Sequence, residues 1–441
     1  MLRLYAAGSN ARGQLGSGHC EDQHTFQPAV FAHEDGGEGQ TLPALPSGAS
    51  QVLGLACGAN HTLVLLDTHE LWVSGDSSRG QLAFLPSTTV FRKLSFDLSR
   101  WDLDVQLYKP TNVATAWETS YVILTSTNPA LSDIVLSFGA DDFGDRGAGP
   151  LPPVPSDPSA VDLQQALSGR PWCIKVRELV AGQHHVLARL DVWAAEGSEP
   201  ETVVVGWGAC RHGQLGAVPA APSNRPTRGS SRVASKTTNK LDRPKLIVTY
   251  SNQERPIQLA TGSQHLLILH STNRITPLGS SRHGQFEIPK PLLEPTTSPD
   301  KVQKIGSTWA TSFFVSNNPT DHSGMTWRIG SCGSSNHGQL GRPPSDVPFG
   351  SITSLPTPTS TDLPQLACGS EHVLLHIDNS VWGWGWNEHG NLGLGHTDDV
   401  HEPMVVWNGD QRDEAKVLGV WAGCGTSWVL VEGSGPDLDN A

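Results

Sequence analysis

Eight histidines of this sequence fall at two repeated positions, and imidazole is the side chain best suited to hold a metal or move a proton near neutral pH. His61, His185, His265 and His372 each open a short apolar run, whereas His212, His283, His337 and His389 each stand just before a glycine. A zinc site needs three or four such ligands converging on one point. Equivalent positions in a ring of repeats are related by rotation, about 51° per unit for seven units, so these side chains spread over different sectors. The pattern predicts imidazoles that bond a neighbouring strand or turn, and no metal.

Other chemistry fails similar tests. Gly8-Ser-Asn-Ala-Arg-Gly13 has the glycine spacing of a phosphate loop, but Gln14-Leu15 follows where such a loop needs Lys and a hydroxyl residue. Asp141-Asp142 and Asp398-Asp399 are adjacent carboxylates in polar surroundings and read as solvated. There is no Gly-x-Ser-x-Gly elbow and no His-Glu-x-x-His pair. The seven cysteines form no Cys-x-x-Cys pair, which suits free thiols in a reducing compartment. The reading is of a protein with no catalytic residue, no cofactor and no metal. A net charge of −13 argues against direct nucleic-acid binding, which draws its affinity from Lys and Arg on phosphates. No apolar stretch approaches the length of a membrane span, and the N-terminus has no secretory pattern. The expectation is a cytoplasmic protein, with the nucleus left open as a second compartment.

The elements that carry these residues repeat. A glycine, four mostly polar residues and a second glycine recur seven times, beginning at Gly8, Gly75, Gly139, Gly208, Gly279, Gly333 and Gly385. In most copies the second glycine is followed by Gln-Leu; the third copy has Gly144-Asp-Arg-Gly instead. A second motif interleaves with the first, clearest as Ala56-Cys-Gly-Ala-Asn-His61-Thr-Leu-Val-Leu and Ala367-Cys-Gly-Ser-Glu-His372-Val-Leu-Leu. Its apolar runs are too short for helices and are bounded by glycine, which predicts buried strands. The glycines suit turns with positive φ, where a Cβ would clash.

One unit then reads as three strands and a Pro-containing edge segment, the content of a four-stranded blade. The chain starts in the middle of one unit and ends after the early strands of another. The prediction is an all-β, seven-bladed β-propeller spanning 1–441 as one domain, closed by pairing of its N- and C-terminal strands, so that no edge is left free. Inserted loops are expected at about 32–49, 84–109, 148–171 and 217–253. The last holds Arg225, Arg228, Arg232, Lys236, Lys240, Arg243 and Lys245, with Asp242 the one acid before Lys245. It reads as a solvated loop, with a regulatory docking segment as the sharper alternative.

Tryptophan marks the candidate site. Trp72, Trp207, Trp327, Trp382 and Trp384 lie in or beside strands that lead to glycine loops and should pack between blades. Trp117 and Trp309 stand at turns where other copies have small residues, within Trp117-Glu-Thr-Ser-Tyr and Trp309-Ala-Thr-Ser-Phe. A large ring there either plugs the central channel or anchors a partner. Trp117, Glu118 and Trp309 are the candidate partner-binding residues.

The glycine-loop and Gly-x-x-His copies resemble the regulator-of-chromosome-condensation family over essentially the whole chain. The run Leu4-Tyr-Ala-Ala-Gly-Ser-Asn-Ala-Arg-Gly-Gln-Leu-Gly-Ser-Gly-His-Cys-Glu-Asp22 and the Trp117-Glu-Thr-Ser segment resemble the fungal alpha-tubulin suppressor subfamily. That resemblance implies a non-catalytic adaptor that forms a heterodimer with a small zinc-ribbon protein of the diphthamide pathway. Through this partner it would support diphthamide formation on elongation factor two and Elongator-dependent modification of the tRNA wobble uridine. The alternative within the family is a guanine-nucleotide exchange factor for a Ran-type GTPase. Nuclear exchangers of that type carry a basic N-terminal tail, for which a blade strand starting at Leu2 leaves no room, and the expectation favours the adaptor.

Overall fold

The computed structural model describes the chain except residues 34–40, 151–153, 168–170, 217–238, 250–253, 294–300, 318–326, 344–346, 356–361, 410–414 and 434–441. Its strands form seven sheets arranged in chain order, antiparallel except where Phe31–Ala32 joins Thr88–Leu94 in parallel. The innermost strands of six sheets are Val52–Cys57, Tyr108–Thr115, Cys173–Ala181, Pro256–Thr261, Lys301–Ser307 and Gln365–Cys368. The seventh, Lys416–Ala422, packs against both Gln365–Cys368 and Val52–Cys57 and so completes the circle. The architecture is a seven-bladed β-propeller, with one four-residue α-helix, Lys290–Leu293, and two short 3-10 helices, Leu98–Trp101 and Gln164–Ala166, among the described residues.

The chain ends share the seventh blade. Leu2–Gly8 pairs with Thr426–Glu432 over seven residues without a break, from Leu2 opposite Glu432 to Gly8 opposite Thr426. Gln23–Pro28 forms the outer edge of this sheet and Lys416–Ala422 the inner one. Two strands from each end of the chain therefore build one blade, and the ring has no open seam.

Second strands have apolar centres because a blade is covered by a neighbour on each side. Every residue of His61–Leu66 is buried, as is every residue of His265–His270. Outer strands read as mixed sequence, and where they end a sheet they admit proline: Pro244 lies in Lys240–Thr249 and Pro403 in Val400–Asn408. This corrects the expected loops. The segment 84–109 contains the first blade's outer strand, Thr88–Leu94, and 217–253 contains Lys240–Thr249. The segment 148–171 supplies Ser159–Ala160 to the second blade, and Thr41–Leu42 within 32–49 pairs with Phe31–Ala32. Polar edge strands lack the apolar run by which a strand is recognised. Most of the basic segment lies outside the described residues.

The two sequence motifs lock to each other. The first glycine of every loop has φ between +93° and +126°. At Gly75 a Cβ would stand 2.3 Å from the Asn60 carbonyl oxygen, and at Gly208 it would stand 2.4 Å from that of His184. The same carbonyls accept the next backbone N–H of the loop, Asp76 to Asn60 and Ala209 to His184. Only glycine allows this approach. The third loop departs from the pattern at Arg146, which is fully buried where Leu15, Leu82 and Leu215 fill the other blades. Its guanidinium donates to the carbonyls of Ser137, Val154 and Asp157 and to the Ser159 hydroxyl. A buried charge needs such solvation, and here the inserted segment supplies it.

Candidate functional site

The turn between the first and second strand of each blade faces the central channel. Its channel residue is Ala59, Trp117, Gln183, Ser263, Trp309, Ser370 or Cys424 in successive blades. Backbone N–H groups link these turns around the mouth: Ala59 donates to Trp117, Trp117 to Gln183, Ser263 to Trp309, Trp309 to Ser370 and Ser370 to Gly423. A side chain at this position is thus held at the rim by its own backbone. Five of the seven are small or short polar residues, and two are tryptophan.

Trp117 and Trp309 come from the second and fifth blades, yet their rings meet across the mouth. Their centroids are 5.6 Å apart with planes inclined by 41°. Both remain partly exposed. Beneath them is a cavity of about 270 Å³ lined by the turns of all seven blades, including Gly182, Gly262 and Ser370. That is small beside a typical cofactor or drug-sized site, and suits one or two side chains. Glu118 does not join this wall. It lies 3.7 Å from Arg79, which bonds both carboxylate oxygens of Asp142 at 2.9 Å.

His61, His265, His372, His337 and His389 bond a neighbouring strand or loop, as their spacing predicts, and His185 does not. His61 Nε2 is 2.9 Å from the Ser120 hydroxyl of the next blade. Ser120 donates its own proton to the Gln81 carbonyl, so His61 is the donor and carries its proton on Nε2. His265 meets Ser312 and His372 meets Ser427 in the same way. His185 faces Leu266 in the corresponding place and has no such bond. Burial lowers the pKa of His61 and His185 to about 3 and of His265 and His372 to about 4, so all four are neutral. In the second set, His337 Nδ1 lies 2.8 Å from Asp399 and His389 Nδ1 lies 2.7 Å from Asp22, each pair joining two blades. Among the described residues no group of three or more His, Cys, Asp or Glu is placed to hold a metal.

Cys57, Cys368 and Cys424 line the channel cavity as free thiols. Desolvation pushes their pKa up, to about 11 for Cys57 and about 12 for the other two. They are protonated and poor nucleophiles at neutral pH.

Two aromatic residues of this face escape the sequence reading. Trp386 packs against Gly425 and meets the His389 ring edge-on at 5.3 Å. Phe143 is exposed and lies 4.3 Å from the His184 ring. Both stand at glycine-loop positions that hold small or charged residues or histidine in the other blades. The same comparison that singles out Trp117 and Trp309 finds them.

Known proteins resemble this chain in its repeat and its fold. Residues 3–65 and 378–430 match the Regulator of chromosome condensation (RCC1) repeat, and residues 52–81 match a second repeat of that description. The chain is 28% identical over 433 residues to the secretion-regulating guanine nucleotide exchange factor of Mus musculus, covering 91% of this chain and 78% of that one. It is 24% identical over 444 residues to an RCC1 repeat-containing protein of Schizosaccharomyces pombe, covering 97% and 99%. Prp20p of Saccharomyces cerevisiae, whose crystal structure is titled with its binding properties to Gsp1p and histones, superposes with a TM-score of 0.66 at 17% identity, over 99% of this chain and 92% of that one. At that identity the likeness concerns the fold.

Proposed function

From a chain that carries regulator-of-chromosome-condensation repeats closed into a seven-bladed ring, we propose a protein-docking platform whose contact centre is the Trp117–Trp309 pair. The observation that carries this reading is the meeting of two partly exposed indoles from separate blades, at a position that is small or polar in every other blade. Core packing accounts for the buried Trp72, Trp207, Trp384 and Trp428, but it gives no reason for large rings at the rim. Binding energy in interfaces concentrates in central aromatic residues surrounded by polar contacts that exclude water. The glycine loops provide such a surround. The partner this reading names is the small zinc-ribbon protein of the diphthamide pathway, with Glu118 at the periphery of the contact. The chain then serves diphthamide synthesis and Elongator-dependent tRNA modification without itself doing chemistry.

A second reading, guanine-nucleotide exchange on a Ran-type GTPase, draws support from the likeness to the mouse exchange factor along most of the chain. One pair of assays separates the two. The purified chain is titrated with the zinc-ribbon protein by calorimetry, and its effect on release of labelled GDP from the GTPase is followed by fluorescence. The adaptor reading expects a stoichiometric complex and an unchanged GDP release rate. Accelerated release with no zinc-ribbon complex would replace it.

A further inference from the structure

The indole pair has an aromatic neighbour on either side, linked to it by unbroken contacts. On one side the Trp117 N–H donates to the Gln183 carbonyl at 2.9 Å, and the next residue, His184, holds its ring 4.3 Å from that of Phe143. On the other side the Trp309 N–H donates to the Ser370 carbonyl at 2.7 Å, and the next residue, Glu371, accepts the Trp386 N–H at 2.9 Å. Phe143, Trp117, Trp309 and Trp386 thus form a strip across the mouth from the second blade to the sixth. Phe143 is exposed and the three tryptophans are partly so. The polar groups beside the two outer rings are acceptors. Asp145 lies 3.3 Å from His184 Nδ1 and Asp22 lies 2.7 Å from His389 Nδ1; in the neutral tautomer that donates to the aspartate, Nε2 is an acceptor. At the Trp386 end Glu371 and Asp399 share His337, and Glu388 is exposed. Among the described residues none of these three carboxylates forms an ion pair with Lys or Arg. At the Phe143 end Asp142 and Glu118 share Arg79.

We infer that the docked protein crosses this strip as a basic segment, its arginine or lysine side chains lying on Phe143 and Trp386 and its apolar side chains on the central pair. The inference rests on this face being the docking face, and it adds the partner's chemistry and direction. A cation is drawn both to the π face of a ring and to the carboxylates beside it. An acidic segment in the same place would meet acceptors and like charge, on a chain whose net charge is −13. Because acids without a Lys or Arg partner gather at the Trp386 end, the most basic part of the segment is steered there, which sets one direction across the ring. Arginine suits both outer positions, since its planar fork stacks on a ring and bonds a carboxylate with the same group.

The test uses the full chain and fluorescein-labelled hexa-arginine in low salt, read by fluorescence anisotropy. Phe143→Ala/Trp386→Ala leaves the charge of the chain unchanged and should weaken binding about tenfold. Glu388→Lys, at an exposed loop position, should weaken it as well. Val105→Ala should bind like the parent, because it truncates an exposed apolar side chain before Tyr108–Thr115, at the end of that strand away from Trp117. Equal binding by the parent and the double variant would mean that net charge attracts the peptide without a site, and would overturn the inference. Tighter binding of hexa-glutamate than of hexa-arginine would overturn it too. Melting temperatures are measured alongside, and if the double variant melts early, Phe143→Ala alone carries the aromatic arm. With the zinc-ribbon protein itself, association lost in Trp117→Ala/Trp309→Ala but untouched in Phe143→Ala/Trp386→Ala would remove this inference and leave the docking face standing. Association lost in neither would remove the docking face.

Discussion

Acid should unfold this ring earlier than its carboxylates alone would dictate, because four buried histidines must remain neutral. His61, His185, His265 and His372 have pKa values lowered to about 3, 3, 4 and 4, against about 6.5 in the unfolded chain. The native state therefore refuses protons that the unfolded state accepts, and stability rises with pH wherever that difference exists. The contribution is fully present above pH 6.5 and is lost progressively as pH falls from 6.5 towards the folded values. At pH 5.5 each histidine costs about 1 kcal/mol relative to neutral pH, and four cost on the order of 5 kcal/mol, comparable with the whole stability of many domains. Urea titrations at pH 7.5 and 5.5 measure this directly. The His185→Gln variant isolates one term, since His185 makes no hydrogen bond to lose and the substitution removes a titrating group. Its stability should fall less steeply between the two pH values than that of the parent, by about 1 kcal/mol. Identical slopes would show that the histidines titrate normally and that the packing described around them is wrong.

Other expectations follow from the same geometry. Gly208→Ala should cost about 1–3 kcal/mol, because its Cβ would meet the His184 carbonyl at a φ of +93°. Gly197→Ala, at a φ of +75° with open space around the Cβ, should cost less, and equal Tm losses would refute the locking of the two motifs. Deleting residues 1–8 should lower the melting temperature sharply, since it removes a strand paired on both sides in the closing blade. Melting like the intact chain would contradict the closure. Arg146→Leu restores the usual residue of the repeat but frees the carbonyls of Val154 and Asp157. Limited proteolysis should then cut near 154–159 faster while the rest of the ring stays resistant, and an unchanged digestion pattern would show that Arg146 does not hold the segment.

The ring was legible because its constraints are local and repeated. A glycine whose Cβ would stand 2.1–2.5 Å from a carbonyl oxygen allows no other residue, so seven such positions appear as a visible period. The histidines likewise announce themselves by standing at one position. Outer strands were hidden: Thr88–Leu94 and Lys240–Thr249 mix polar and apolar residues, the second also holds a proline, and both resemble loops. The site was half legible. Residue type alone picked out Trp117 and Trp309, but their contact depends on two turns in blades that are far apart in sequence. Glu118 neighbours Trp117 in sequence and points instead to Arg79, since adjacent residues of a tight turn need not share a wall.

The central claim is that a partner docks over the indole pair, and the affinity of the Trp117→Ala/Trp309→Ala chain tests it most directly. Calorimetric titration with the zinc-ribbon protein should give a tight complex with the intact chain and a loss of about thirtyfold or more in the variant, with the melting temperature nearly unchanged. A variant that melts earlier yet binds as tightly would contradict the claim and leave the two tryptophans as a plug for the channel.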